Sequence, residues 1–290
     1  VTDRPLPPPR QPRAEPREIV ELKQLKSVQP ELTPAVDMQL ELVEMLRRVQ
    51  GRIPLPRIHP EAEWIAAQAR ASRPFVRFED IPLEWSDFRL SLRQTADILY
   101  RHDALERADH EAILALTRDG NQLAPLVTEW YEATSKVAPN PPQLSETVSP
   151  NLGQVLLLSL RPFLARCAEA LVPRIDLSLW HAGHCPICGW EPDFAVILPS
   201  AERRLVCGRC LAQWPFDPLA CPFCDNHDRA RITSFATRDG RYRVSGCDRC
   251  KRYLKAYDGR KTTRPVILAV DSIATLPLDA AAMQRGYSSG

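Results

Sequence analysis

Cys185-Pro-Ile-Cys188, Cys207-Gly-Arg-Cys210, Cys221-Pro-Phe-Cys224 and Cys247-Asp-Arg-Cys250 hold eight of the nine cysteines of the 290-residue chain. A C-x-x-C pair on a tight turn sets two sulfurs on one side of the backbone, where a tetrahedral ion takes them at about 2.3 Å. Two such pairs close one four-sulfur site. The spacers between successive pairs are 18, 10 and 22 residues. The first lies in the metal-ribbon range; it and the third each suit a hairpin that returns to its knuckle, while the middle one suits a link between modules. The expected ligand sets are Cys185, Cys188, Cys207 and Cys210 for one ion, and Cys221, Cys224, Cys247 and Cys250 for a second.

The residues between the pairs read as an internal repeat. Phe194 to Leu198 and Arg203 to Val206 are expected strands around a Pro199–Glu202 turn, and Leu211 to Phe216 leaves the second knuckle. Ala230 to Thr237 and Arg241 to Ser245 flank an Asp239-Gly240 turn, and Arg252 to Tyr257 leaves the last knuckle. Four disulfides would need an oxidising compartment, and thioredoxin-like pairs would need a βαβ setting with one reactive pair. The plainest competing reading is that both ions only hold the fold, since structural sites have four protein ligands and no open position.

Working outward, 44% hydrophobic residues, 28 prolines and a net charge of +2 describe a soluble chain of about two domains with no obligatory polyanion partner. Residues 1–30 are expected to form a proline-rich disordered tail; six prolines fall within the first 17 residues. The apolar h-region of about 7 to 15 residues that a signal peptide needs is not seen, so the expected compartment is the cytoplasm. Residues 31–178 read as an all-helical domain of six or seven helices. The expected helices are Glu31 to Gln50, Glu61 to Ala71, one capped by Ser86, Asp109 to Thr117, Asn121 to Thr134 and Val155 to Val172, with Ser135 to Pro150 as a proline-rich connection. The last helix is the most apolar, but Arg161, Pro162, Arg166 and Glu169 keep it from being a membrane span. Cys167 in that helix reads as a small core residue.

The fold class expected is therefore α+β, with the helical domain followed by two tandem rubredoxin-like or zinc-ribbon modules at 179–219 and 220–264. In the tail, 265–290, a strand from Pro265 to Val270 is expected to pass into a short helix that packs back on the helical domain or the second ribbon. Such small modules usually depend on metals or cross-links.

No G-x-S-x-G, phosphate loop, G-x-G-x-x-G or H-E-x-x-H occurs, and no catalytic residue is assigned. His181, His184 and His227 flank knuckles and read as residues around the sites or in solvent rather than ligands. The second ribbon carries 12 Arg or Lys against five Asp from Cys221 to Arg264. With Phe235, Tyr242, Tyr253 and Tyr257 interleaved, it is a candidate nucleic-acid surface, so a zinc-ribbon nucleic-acid binder is the alternative function. A thiol oxidoreductase is a further rival. Arg209, Asp248 and Arg249, inside knuckle turns, are expected to face outward as partner contacts.

The runs Trp180-His-Ala-Gly183-His-Cys185-Pro-Ile-Cys188-Gly-Trp-Glu-Pro192, Cys207-x-x-Cys210-x-x-x-Trp214 and Cys247-x-x-Cys250-x-x-Tyr253-Leu254-Lys255-x-x-Asp258 resemble the FdhE family of formate dehydrogenase accessory proteins. The tail Ile273-Ala-Thr-Leu276-Pro-Leu-Asp279 resembles that family's ending. The likeness covers the ribbons, the tail and the helical plan from about residue 75, not the first 60 residues. It implies a cytoplasmic, chaperone-like assembly factor rather than an enzyme, one that binds the catalytic subunit of respiratory formate dehydrogenase before export. It also implies iron in both four-cysteine sites. The residues alone favour zinc, because a tetrahedral four-sulfur site suits either metal and C-P-x-C-G is shared by rubredoxins and zinc ribbons.

Overall fold

The computed structural model describes residues 14–135, 148–261 and 264–289. Seven helices occupy the amino-terminal part of these residues: α1 Arg17–Val28, α2 Thr33–Gln50, α3 Ala62–Arg70, α4 Trp85–Arg101, α5 Arg107–Leu116, α6 Gly120–Thr134 and α7 Pro150–Leu171. The centre is α7. It is apolar on every side and is buried almost throughout from Leu152 to Leu171, with α2, α4 and α5 against it. Ser149 Oγ caps it by accepting from Leu152 N at 3.2 Å, and Pro150 occupies the first turn, where a missing N–H costs nothing. The α4 stripe of Phe88, Leu92, Ala96 and Leu99 is buried as its spacing predicts. Its start is different: Glu84 precedes Trp85, no side chain caps it, and Ser86 lies inside the first turn.

The expected tail at 1–30 is corrected by α1. Residues 1–13 lie outside the described residues, as does 136–147 of the proline-rich connection. Arg17–Val28, however, is a helix that buries Ile19 and Leu22 against Leu32, Val36 and Val43 of the α2 region and Val270 and Ile273 near the other end of the chain. Two buried positions in a charged dodecapeptide are too few to signal a helix. The surface that makes them worthwhile comes in part from the α2 region and in part from residues some 250 positions later. Leu22→Ala is expected to cost about 2–5 kcal/mol by opening this small core. Faster amide exchange confined to 17–28 and its packing partners would verify it; unchanged exchange would refute it.

Six strands follow: β1 Pro192–Ile197, β2 Arg203–Cys207, β3 Gln213–Phe216, β4 Ile232–Ala236, β5 Tyr242–Cys247 and β6 Arg252–Asp258. Each strand expected in the two ribbons is present. The two three-stranded modules are not separate bodies, though, because the sheet runs β3-β2-β1-β6-β5-β4. The junction is parallel, with Ala195 opposite Ala256, Val196 opposite Tyr257 and Ile197 opposite Asp258. A two-residue strand, β7 Ser288–Ser289, adds to β6 near its start.

The expected strand at Pro265 to Val270 is also corrected. Leu268–Ala274 is a helix, α8, followed by α9, Leu276–Gln284. The buried Asp271 carboxylate accepts from Ile267 N at 2.7 Å, turning the chain into α8, and also accepts from Tyr242 Oη at 2.7 Å and from Arg264. The helix thus begins where a carboxylate four residues on can reach back to it. The tail packs on both expected neighbours: α8 meets α1 and α2, while Leu278 and Ala282 of α9 join Tyr242, Val244, Tyr253 and Tyr257 in the second module's core.

Candidate metal centres

The four knuckles share one backbone form. Each closes with an N–H from the residue after its second cysteine to the carbonyl of its first: Gly189 to Cys185 at 2.9 Å, Leu211 to Cys207 at 2.9 Å, Asp225 to Cys221 at 2.9 Å and Lys251 to Cys247 at 2.8 Å. All four donor residues are left-handed, with φ of 72°, 65°, 54° and 58° respectively. Only the first is glycine, so the other three hold a conformation that ordinarily costs an L-residue about 1–2 kcal/mol. A threefold repeat of this strain indicates something at the knuckles that repays it.

The turns bring all eight thiols into the two expected groups, and within each group the sulfurs lie inside 4.8 Å of one another. Cys185 and Cys210 are 3.5 Å apart, as are Cys188 and Cys207; Cys221–Cys250 and Cys224–Cys247 are each 3.7 Å. Four sulfurs at about 2.3 Å from a central ion would stand about 3.8 Å apart, far longer than a disulfide of about 2.05 Å. None of the nine cysteines is in a disulfide. The donor set therefore fits a tetrahedral thiophilic ion, iron or zinc alike.

The first group is sealed into the molecule. Phe75 N donates to Pro186 O at 2.8 Å and Val76 N to Ile187 O at 2.9 Å, so a helical-domain segment pairs directly with the first knuckle. Cys185, Cys188, Cys207 and Cys210 are continuous with the α4–α7 core. Burial holds the Cys185 and Cys210 thiols well above their usual range, so a cation is what would ionise them. Cys188 is held well below the usual range against its burial, by bonds to the other three sulfurs and by the Arg209 charge.

Arg209 corrects its sequence reading: it points inward and is fully buried. Its guanidinium lies 4.4 Å from the Trp130 ring centre, 4.9 Å from Tyr131 and 4.5 Å from Trp190. Nη1 donates to Ser135 Oγ at 2.9 Å and Nη2 to Thr134 Oγ1 at 2.6 Å, while Nε is buried without a partner. Among the described residues it forms no ion pair with a carboxylate. This cage of α6 and the first module was invisible in sequence, because nothing local ties Trp130 and Tyr131 of α6 to Trp190 and Arg209. Of the other two knuckle residues, Arg249 is exposed as expected. Asp248 is half-buried, its carboxylate accepting from Lys251 Nζ at 3.1 Å, Tyr287 Oη at 3.0 Å and Thr233 Oγ1 at 3.3 Å.

The two centres are clamped together. Arg252 donates to Glu191 at 2.6 and 3.2 Å and lies 3.9 Å over the Phe223 ring. A Cβ on Gly183 would stand 2.0 Å from the carbonyl oxygen of Pro222, inside the third knuckle. Gly183→Ala must therefore push backbone from backbone and is expected to cost about 1–3 kcal/mol. A lowered melting temperature is the readout, and an unaltered one would contradict the close approach.

The remaining assignments sort cleanly. Cys167 is buried in α7 and its thiol is pushed up to about 12, chiefly by burial, as befits a core residue. No histidine joins either sulfur group. His184 bonds Ser72 O at 2.9 Å; His227 is exposed beside Asp225; His181 is exposed. The expected stacking surface on the second ribbon is not formed as read. Tyr242, Tyr253 and Tyr257 are buried, and Arg285 covers Phe235 at 4.1 Å. Several of its cations are neutralised: Arg243 and Arg260 pair with Asp258, Arg252 with Glu191 and Lys255 with Asp279. Two of these partners, Glu191 and Asp279, lie outside the counted stretch, so the local count overstated its charge.

A cleft of about 920 Å³ between α2, α7 and the sheet also escaped the sequence reading; Leu42, Leu46 and Leu158 meet Arg161, Asp193 and Lys255 there. Among the described residues no helix is long and apolar enough to cross a membrane.

No protein-family model matches the sequence, and no curated protein does. A solved structure does match: the FdhE protein from Pseudomonas aeruginosa, at 17% identity and a TM-score of 0.60, over 94% of this chain and 92% of that chain. At that identity the likeness is one of fold, and the α+β plan of this chain, a helical part followed by a sheet region that carries two four-cysteine groups, is consistent with it.

Proposed function

We propose that this chain is a cytoplasmic assembly factor for respiratory formate dehydrogenase, binding the catalytic subunit during maturation and holding it rather than transforming it. The observation that carries the reading is a fold shared with an FdhE protein over 94% of the chain, joined to the two assembled four-sulfur groups. The residue resemblance in the knuckles and tail supports the same reading.

Cys185, Cys188, Cys207 and Cys210 would hold one ion and Cys221, Cys224, Cys247 and Cys250 the other. The ion supplies the charge that ionises the buried thiols and the cross-link that fixes each hairpin. Iron is proposed over zinc on the resemblance; visible absorption by the oxidised protein supports iron, and colourless protein with stoichiometric zinc refutes it. The partner is tested by affinity capture with the tagged chain from its own host, grown on formate respiration, followed by mass spectrometry. Recovery of a formate dehydrogenase catalytic subunit supports the reading. Recovery of nuclease-sensitive ribosomal or nucleoid components instead would replace it with the nucleic-acid alternative.

A further inference from the structure

The two sulfur groups are built alike and surrounded differently. All four cysteines of the first are buried, whereas in the second Cys224 and Cys250, the latter cysteine of each knuckle, are only half-buried. The contrast extends to equivalent positions. Arg209 in Cys207-Gly-Arg209-Cys210 is caged by three rings beside its sulfurs, while Arg249 in Cys247-Asp-Arg249-Cys250 is exposed. Asp225, His227 and Lys251, next to Cys224 and Cys250, are exposed as well. The shell around a metal site controls what reaches it, and substitution at a four-coordinate ion proceeds through entry of a further ligand. At the first group that path is closed by core, and at the second it is open on the side of Cys224 and Cys250.

We propose that the second centre is the exchangeable one, at which a thiol of a partner protein or small molecule displaces Cys224 or Cys250, while the first keeps its ion as part of the fold. The step is a ligand exchange: the incoming sulfur forms a bond to the ion, the bond from the ion to Cys224 or Cys250 Sγ breaks, and the thiol's proton passes to the freed sulfur. No electrons are transferred. Cys221 and Cys247, both buried, remain as anchors. This rests on the metal-binding part of the proposed function and not on the identity of the partner, which affinity capture tests separately.

The test uses the full chain reconstituted with zinc to two equivalents. Release is followed with 4-(2-pyridylazo)resorcinol, with glutathione varied, and timed samples are alkylated with iodoacetamide and mapped by mass spectrometry. Two phases of one equivalent each are expected, separated by at least about tenfold, the lower end of what loss of surrounding support costs a metal site. The fast phase should accelerate with glutathione and coincide with labelling at Cys224 and Cys250. A single phase, a fast phase mapping to Cys185–Cys210, or a fast phase indifferent to glutathione would overturn the proposal. Failure to retain two equivalents would overturn it together with the metal reading beneath it.

Discussion

Exhaustive chelation is expected to melt the sheet, in two stages, while leaving much of the helical signal. A structural ion contributes about 10–16 kcal/mol of apparent binding free energy to a small module, against a net stability of about 5–15 kcal/mol for a whole domain. The second module's apolar core includes ten buried residues, some lent by β1 and α9, too few to hold three short strands once four thiols must reprotonate in place. Its loss should come first and stay local. Loss of the first ion should then spread, because Cys185, Cys188, Ile187 and Trp214 belong to the same core as α4 and α7. Circular dichroism and amide exchange during stepwise chelation read both stages. Burial raises the Cys185 and Cys210 thiols, so protons compete with the first ion, and the midpoint of the second stage, in which that ion is lost, should shift to less chelator as pH falls. Metal-free protein with the melting temperature and sheet signal of the loaded form would defeat this account.

Replacing Arg209 is expected to be the most damaging single change outside the cysteines. Four thiolates around a divalent ion leave a formal charge of minus two, here in a site without solvent. Arg209 is the buried cation that acts on Cys188, and no carboxylate competes for it among the described residues. Removing one member of a buried charge pair costs about 3–5 kcal/mol, and losing a supporting group costs a metal site about 10–100-fold in affinity. Arg209→Met separates packing from charge, since it fills most of the cage without the guanidinium. Competition with a chelator should show weakened binding of one equivalent, and alkylation should assign it to Cys185–Cys210. Arg209→Lys should fall between, keeping charge but losing the paired bonds to Thr134 and Ser135. Unchanged affinity in Arg209→Met would reduce Arg209 to a packing residue.

The pairing of the eight cysteines was legible because C-x-x-C and its spacers encode local geometry: a turn positions two sulfurs, and a hairpin of fixed length returns the next two. The strands were legible for the same reason, each being a short alternating run bounded by a turn. The left-handed residues Leu211, Asp225 and Lys251 were not, since only Gly189 carries the residue type that announces that conformation. Helix α1 and helix α8 failed in the opposite way from each other, one read as disorder and the other as strand, and for one cause. Each is marginal alone and is decided by the cluster that joins Ile19, Leu22 and Val36 to Val270 and Ile273 across nearly the whole chain, with the buried Asp271 adding a local bond at the start of α8.

By itself, then, the sequence determined the helical and ribbon parts, their order and both four-cysteine sets, because those depend on residues near one another. Tertiary structure alone decided that the ribbons fuse through β1 and β6, that Arg209 turns inward, and that one centre is sealed while the other is reachable. These follow from which surfaces meet, and burial is a property of the meeting rather than of either segment.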